Sequence, residues 1–179
     1  MTIVDEYGRS EPSYAAEEVE MLCGFLDWQR STLEWKTRGL DEIGLRATTG
    51  VSAMTLGGIL KHMAWVEDHW FSYVLHSRDR AEPWTTNDFS VAPDWEWTSS
   101  LHDSAADLRS LWESSCDASR RAVDEFLVLG GVDQPAKRLS VRGDQPTLRW
   151  IFLHMIEEYA RHNGHADLLR ESVDGQVGE

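Results

Sequence analysis

The C-terminal stretch HMIEEYARHNGHADLLRE, residues 154–171, contains Glu158 and His162 four positions apart. Side chains with this spacing lie on the same face of a helix, so the pair presents a carboxylate oxygen and an imidazole nitrogen side by side. Zinc and other divalent metals accept these atoms as ligands. The same spacing is also common in ion pairs on helix surfaces, and the pair alone leaves both interpretations open.

The orientation of the pair can be predicted from the apolar residues of the same helix. At about 100° per residue, His162 falls inside the apolar arc and Glu158 lies beside it. His165 and His154 lie further off this arc, and Glu157 points outward. An inward-facing carboxylate is costly unless it is paired or bound to a cation, which favours the metal interpretation. The arc comprises Leu148, Ile151, Met155, Tyr159, Ala166 and Leu169.

A metal would need a further ligand from another helix, and the second predicted helix carries three histidines at heptad spacing. His62 lies nearest to the buried arc of that helix and is slightly preferred on geometry. His69 and His76 stay open, because periodicity alone does not choose among the three. The arc of this helix comprises Ile59, Met63, Val66, Trp70, Tyr73 and Val74.

Four stretches with apolar residues at helical spacing must position these groups, and no convincing strand separates them. They predict an all-α fold, an antiparallel four-helix bundle formed by one domain that spans residues 1–179. The ends, before about residue 14 and after about residue 172, are expected to be loosely ordered. The predicted helices cover residues 14–36, 55–77, 100–129 and about 145–174.

The segments between the helices carry turn residues and caps. Gly130 and Gly131 are expected to end the third helix, and Asp144 to cap the fourth with Pro146 in its first turn. The long loop at residues 78–100 contains three tryptophans, which are expected to fasten it to the bundle or to roof a pocket. These tryptophans are Trp84, Trp95 and Trp97.

The composition bounds the partners and the compartment. A formal charge of −14 argues against nucleic acid and against an anionic membrane surface. The chain has no apolar export signal and no run long enough to span a bilayer, which predicts a cytosolic protein. Cys23 and Cys116 form no paired motif and are expected to be reduced and buried.

Two motifs in this order, SAMTLGGILKHMAWVEDHWF and LRWIFLHMIEEYARHNGHADLLRE, resemble the DinB-like superfamily of metal-binding proteins over nearly the whole chain. The resemblance is greatest to its actinobacterial branch, which is related to the mycothiol-dependent maleylpyruvate isomerases. It implies a DinB/YfiT-like four-helix bundle with a metal held near one end by His62, Glu158 and His162. Many family members have histidine at the position of Glu158. The glutamate found here resembles the isomerase branch, whose members have glutamate at this position.

The resemblance implies a metal-dependent S-transferase or isomerase that uses a low-molecular-weight thiol such as mycothiol. A three-ligand site leaves a coordination position open, where a bound thiol loses its proton readily. The alternatives are a non-catalytic metal-binding or interaction bundle and, ranked lower, a metal-dependent hydrolase. No catalytic residue and no cofactor-binding residue beyond the metal ligands is assigned.

The expected metal and binding partners follow from the same hypothesis. Zinc suits the ligand set best, and nickel, iron and manganese also accept it. The expected partners are a small-molecule substrate and the thiol, with a homodimer through exposed bundle faces left open. An acidic substrate could pair with Arg142, Arg149 or Arg161, and the sequence singles out none of them.

Overall fold

The computed structural model describes residues 3–140 and 142–178, and its regular structure is helical. Within that part of the chain there is no β-strand, and extended pairing is limited to two isolated bridges, Val4 with Ser10 and Pro135 with Thr147. This confirms the predicted all-α class. The α-helices of the described residues are α1 (Glu18–Thr37), α2 (Glu42–Arg46), α3 (Leu56–Glu67), α4 (Trp95–Ser99), α5 (Ala105–Gly130) and α6 (Leu148–Asp174).

The second predicted helix is one long element with two geometries. After α3 it continues as a π-helical segment, Asp68–Val74. The backbone N–H of Leu75 donates to the carbonyl of Trp70, five residues earlier, at 2.9 Å. Hydrophobic periodicity did not predict this widening, which rotates the buried face: Phe71, outside the predicted arc, is fully buried, whereas Trp70 and Tyr73 of the arc are only half-buried.

The chain forms two compact units. The first consists of the chain up to Leu56 together with the chain from Phe152 onwards. In this unit α6 is fastened to α1 by buried polar side chains. The Asn163 amide donates to the backbone carbonyl of Gln29 at 3.0 Å and to its side-chain Oε1 at 2.7 Å. The predicted single domain and its loosely ordered ends stay predictions.

The second unit, Gly57–Ile151, contains most of α3, the π-helical segment, α4 and α5. The hydroxyl of Ser119 on α5 donates to the carbonyl of Glu67 at 3.4 Å, and His76 contacts the carbonyl of Ala122 at 2.8 Å. These contacts hold α5 along the end of α3 and the segment that follows it.

Local hydrogen bonds move several helix ends away from the predicted positions. The first helix begins at Glu18 rather than at residue 14, because Ser13 Oγ accepts from the backbone N–H of Ala15 in a competing turn. The third predicted helix, α5, begins at Ala105 rather than at residue 100. The hydroxyl of Ser104 accepts there from the backbone N–H of Asp107 at 3.1 Å and caps the helix.

The predicted cap of the fourth helix is wrong. Thr147 Oγ1, not Asp144, accepts from the backbone N–H of Trp150 at 3.2 Å. Asp144 lies in a preceding turn, where its carbonyl accepts from the N–H of Ser140 at 2.7 Å.

The predicted end of the third predicted helix, α5, is confirmed, since Gly131 follows it with φ at +79°. Among the described helices, none combines the length and apolarity needed to cross a membrane.

Candidate metal centre

Glu158 and His162 lie together on α6, as the spacing predicts. Oε2 of Glu158 is 3.7 Å from Nε2 of His162. Two ligands of a tetrahedral zinc ion, each about 2.1 Å from the metal, lie roughly 3.4 Å apart. His162 is 7% exposed, and Glu158 is half-buried. Both the separation and the burial therefore fit a shared divalent metal.

The other polar groups of this helix lie where the helical periodicity places them. His154, one turn before Glu158, has its Nε2 3.7 Å from Oε1 of that carboxylate. Glu157 is 51% exposed on its side chain and is paired with Arg161. The predicted apolar arc is buried along its whole length. The sequence therefore predicted the outward orientation of Glu157, but His154 and Glu158 are equally half-buried, and two other buried polar residues of this helix were not predicted.

His62 lies on α3, in the other compact unit, and its ring is held by two residues of the short helix α4. Its Nδ1 is 3.1 Å from Oε1 of Glu96, which is 4% exposed. The indole of Trp97 stacks on the ring with a centroid separation of 4.6 Å and an interplanar angle of 24°. Residues 95–99 fall inside the segment that was predicted as a loop, so sequence reasoning missed Glu96.

The contact with Glu96 bears on which nitrogen of His62 a metal could take. A carboxylate accepts hydrogen bonds, so the tautomer that suits this contact is the one with its proton on Nδ1. The lone pair is then on Nε2, the atom that a metal would take. Histidine ligands of metals commonly donate their second nitrogen to a carboxylate in this way. Two imidazoles and one carboxylate form a zinc-type donor set, so the residues fit the metal that the resemblance implies.

A family model for mycothiol-S-transferases matches residues 21–175. The chain belongs to the mycothiol-S-transferase family. This family is DinB-like, which confirms the resemblance based on the two motifs. Membership implies a mycothiol-dependent transferase activity with a small-molecule substrate and the thiol as partners. Among curated proteins, none matches the chain.

In this mycothiol-S-transferase family member, the other two histidines of the second predicted helix make protein contacts, and His76 lies beyond the observed helical end at Val74. His69 Nδ1 accepts from Nη2 of Arg80 at 2.9 Å, and its ring stacks on Trp65 at 5.2 Å. His76 contacts the carbonyl of Ala122, and burial lowers the pKa of its imidazole. Tertiary contacts thus distinguish three histidines among which periodicity gave only a slight preference for His62.

The three arginines considered as substrate partners differ in their surroundings. Arg149 is paired with Asp133, and Arg161 with Glu157. Arg142 is exposed and lines a cavity of about 560 Å³. The cavity belongs to the second unit, and its lining also includes Trp70, Gln145, Thr147 and Trp150. Of the three arginines, Arg142 is the one that lines this cavity.

The cysteines differ in their burial. Cys116 is buried as predicted, and its thiol donates to Oε1 of Glu67 at 3.6 Å. Cys23 is half-buried, which corrects the prediction that both thiols are buried. It lies on α1 and is not among the buried residues of that helix. Neither position adds a ligand to the candidate metal centre.

Proposed function

We propose that this member of the mycothiol-S-transferase family is a metal-dependent enzyme in which His62, Glu158 and His162 hold a divalent metal. The observation that carries the proposal is the 3.7 Å pairing of Glu158 with His162 in a chain of this family. The buried carboxylate behind His62 supports its assignment as the third ligand. Zinc is the preferred metal, and nickel, iron and manganese are the alternatives to be tested.

The metal would supply one chemical effect, which is to lower the pKa of a bound thiol so that its thiolate is available near neutral pH. The residues of the chain supply the rest. His62 is oriented by Glu96 and Trp97, and His162 by its position on the buried face of α6. Glu158 is assigned as a ligand, and this role competes with any use of its carboxylate as a general base for water.

The transfer forms one bond between the mycothiol sulfur and an electrophilic carbon of the acceptor. The thiol proton goes to solvent when a leaving group departs with the bonding electrons, or to the acceptor when the sulfur adds to a double bond. An acidic acceptor would find its cationic partner at Arg142, beside the apolar rings of Trp70 and Trp150. The cytosolic location predicted from the sequence stays a prediction.

An assay of metal-loaded protein with mycothiol and a panel of alkyl halides, epoxides and activated alkenes tests the proposal. We expect disappearance of the free thiol and a thioether product, with turnover abolished in His162→Ala. His102→Ala is the matched control, because this exposed histidine lies outside the candidate centre. Wild-type protein that binds metal but gives no turnover above His162→Ala would instead favour the non-catalytic metal-binding alternative.

A further inference from the structure

We propose that Glu96 is a positioning residue that fixes His62 in the tautomer whose Nε2 binds the metal. The inference deepens the proposed function and rests on His62 being a ligand. Glu96 acts through the imidazole and is not itself assigned a contact with the metal or the substrate. No sequence motif pointed to this residue, which lies 34 positions after His62.

The carboxylate of Glu96 is buried. Glu96 is 4% exposed although it lies in a five-residue helix within a long connection. Its Oε1 lies 3.1 Å from Nδ1 of His62, and its Oε2 is buried without a hydrogen bond to any described residue. Burying a carboxylate is unfavourable unless a partner compensates it. The imidazole of His62 is the partner that this geometry supplies.

A carboxylate beside Nδ1 affects the tautomer of the His62 imidazole. A neutral histidine in water populates both tautomers, and only the one protonated on Nδ1 offers Nε2 as a ligand while donating to Glu96. The negative charge of Glu96 also makes the ring a stronger electron donor to a cation at Nε2. Glu96 therefore selects the ligating atom and increases its affinity for a metal.

Contacts on both sides of the Glu96–His62 pair hold α4 against α3. Lys61, the neighbour of His62, forms an ion pair with Asp103 at 2.5 Å. The ammonium group of Lys61 also lies 4.6 Å from the ring centroid of Trp95. Trp97 stacks on His62 from the other end of the WEW sequence. These contacts fix the carboxylate that lies between the two tryptophans.

The first measurement is the zinc affinity of the full-length protein, determined by competition with a chelator. We expect Glu96→Leu to bind zinc about 10–100-fold more weakly than wild type. Glu96→Gln should lose less affinity, because its amide oxygen still accepts from Nδ1. Glu67→Gln is the matched control, since it changes another buried carboxylate of the same unit, whose Oε1 accepts from the thiol of Cys116.

The second measurement is the tautomer of His62 in metal-free protein, read from the ¹⁵N shifts of histidine-labelled samples. We expect the Nδ1-protonated form in wild type and in Glu96→Gln, and a mixture in Glu96→Leu. A His62 tautomer unchanged in Glu96→Leu, together with zinc affinity within about twofold of wild type, would overturn the inference.

The two measurements separate this inference from the proposed function. A wild-type protein that binds no zinc contradicts the proposed metal site, whereas the tautomer measurement still tests the role of Glu96 without metal. Circular dichroism of each variant identifies any loss of helix. If Glu96→Leu unfolds, the isosteric Glu96→Gln variant still tests whether the negative charge strengthens zinc binding, and an affinity equal to that of wild type contradicts that step.

Discussion

Oε2 of Glu158 and Nε2 of His162 lie 3.7 Å apart on one face of α6. This separation needs no long-range contact, because the two residues are one helical turn apart. At that distance an ion pair is weak and a shared metal is well accommodated. The relationship therefore makes metal content the most direct property to measure.

We expect near-stoichiometric metal in untagged wild-type protein, measured by inductively coupled plasma mass spectrometry. Alanine at His62, Glu158 or His162 removes a ligand, so each loss of affinity should exceed the about 10–100-fold typical of supporting residues. His102→Ala should keep the wild-type metal content. Folded wild-type protein without metal would instead identify Glu158 and His162 as a structural pair.

Arg170 near the end of α6 should contribute far more stability than the exposed Arg161. The residue is 7% exposed, and its guanidinium donates to the carbonyls of Lys36 at 3.1 Å and Arg38 at 2.9 Å. Its hydrogen bond to Asp174 also lowers the pKa of that carboxyl. Replacement leaves the buried carbonyl of Lys36 without its charged donor, so Arg170→Met should lower the free energy of unfolding by about 2–3 kcal/mol.

Arg161→Met is the matched control for this substitution. Its side chain is 62% exposed and pairs with Glu157 on the same helix face. An exposed pair of this kind contributes less than about 1 kcal/mol. Urea unfolding of both variants measures the difference, and equal losses would contradict the anchoring role of Arg170.

The imidazole of His76 should make stability depend on pH. Burial lowers its pKa below the ordinary value, and the nearby Arg78 and Lys137 lower it further. The hydrogen bond to the carbonyl of Ala122 and the charge of Glu125 oppose this shift. Above pH of about 6.5 the residue is neutral in both states. Below it the unfolded chain takes up the proton first, so the free energy of unfolding decreases.

Urea unfolding between pH 8 and pH 5 for wild type and His76→Gln measures this effect. The glutamine amide can still donate to the Ala122 carbonyl but does not titrate, so the advantage of wild type over the variant should shrink as the pH falls. Curves that stay parallel through this range would contradict the assignment.

The four long helices were predictable because helical periodicity is a local property of the chain. The same holds for the inward orientation of His162 and the outward orientation of Glu157 on α6. The cap of that helix was mispredicted, since Asp144 and Thr147 both have capping side chains. The turn in which Asp144 bonds to Ser140 decides between them.

Periodicity gave only a slight preference among His62, His69 and His76, because all three are related by heptad spacing, and the resemblance assigned the ligand to His62. The structure gives each a different partner. Oε1 of Glu96 contacts Nδ1 of His62, Arg80 donates to His69, and a backbone carbonyl contacts His76. These partners come from distant parts of the chain, which local patterns do not encode.

By itself, the sequence determined the all-α class, the net negative charge and the side-by-side placement of Glu158 and His162 on α6. These properties depend on composition and on residues within one helical turn of each other. Only the tertiary structure decided that the buried carboxylate of Glu96 contacts the imidazole of His62. That contact joins positions 62 and 96 across an irregular connection, where neither periodicity nor spacing constrains which side chains meet.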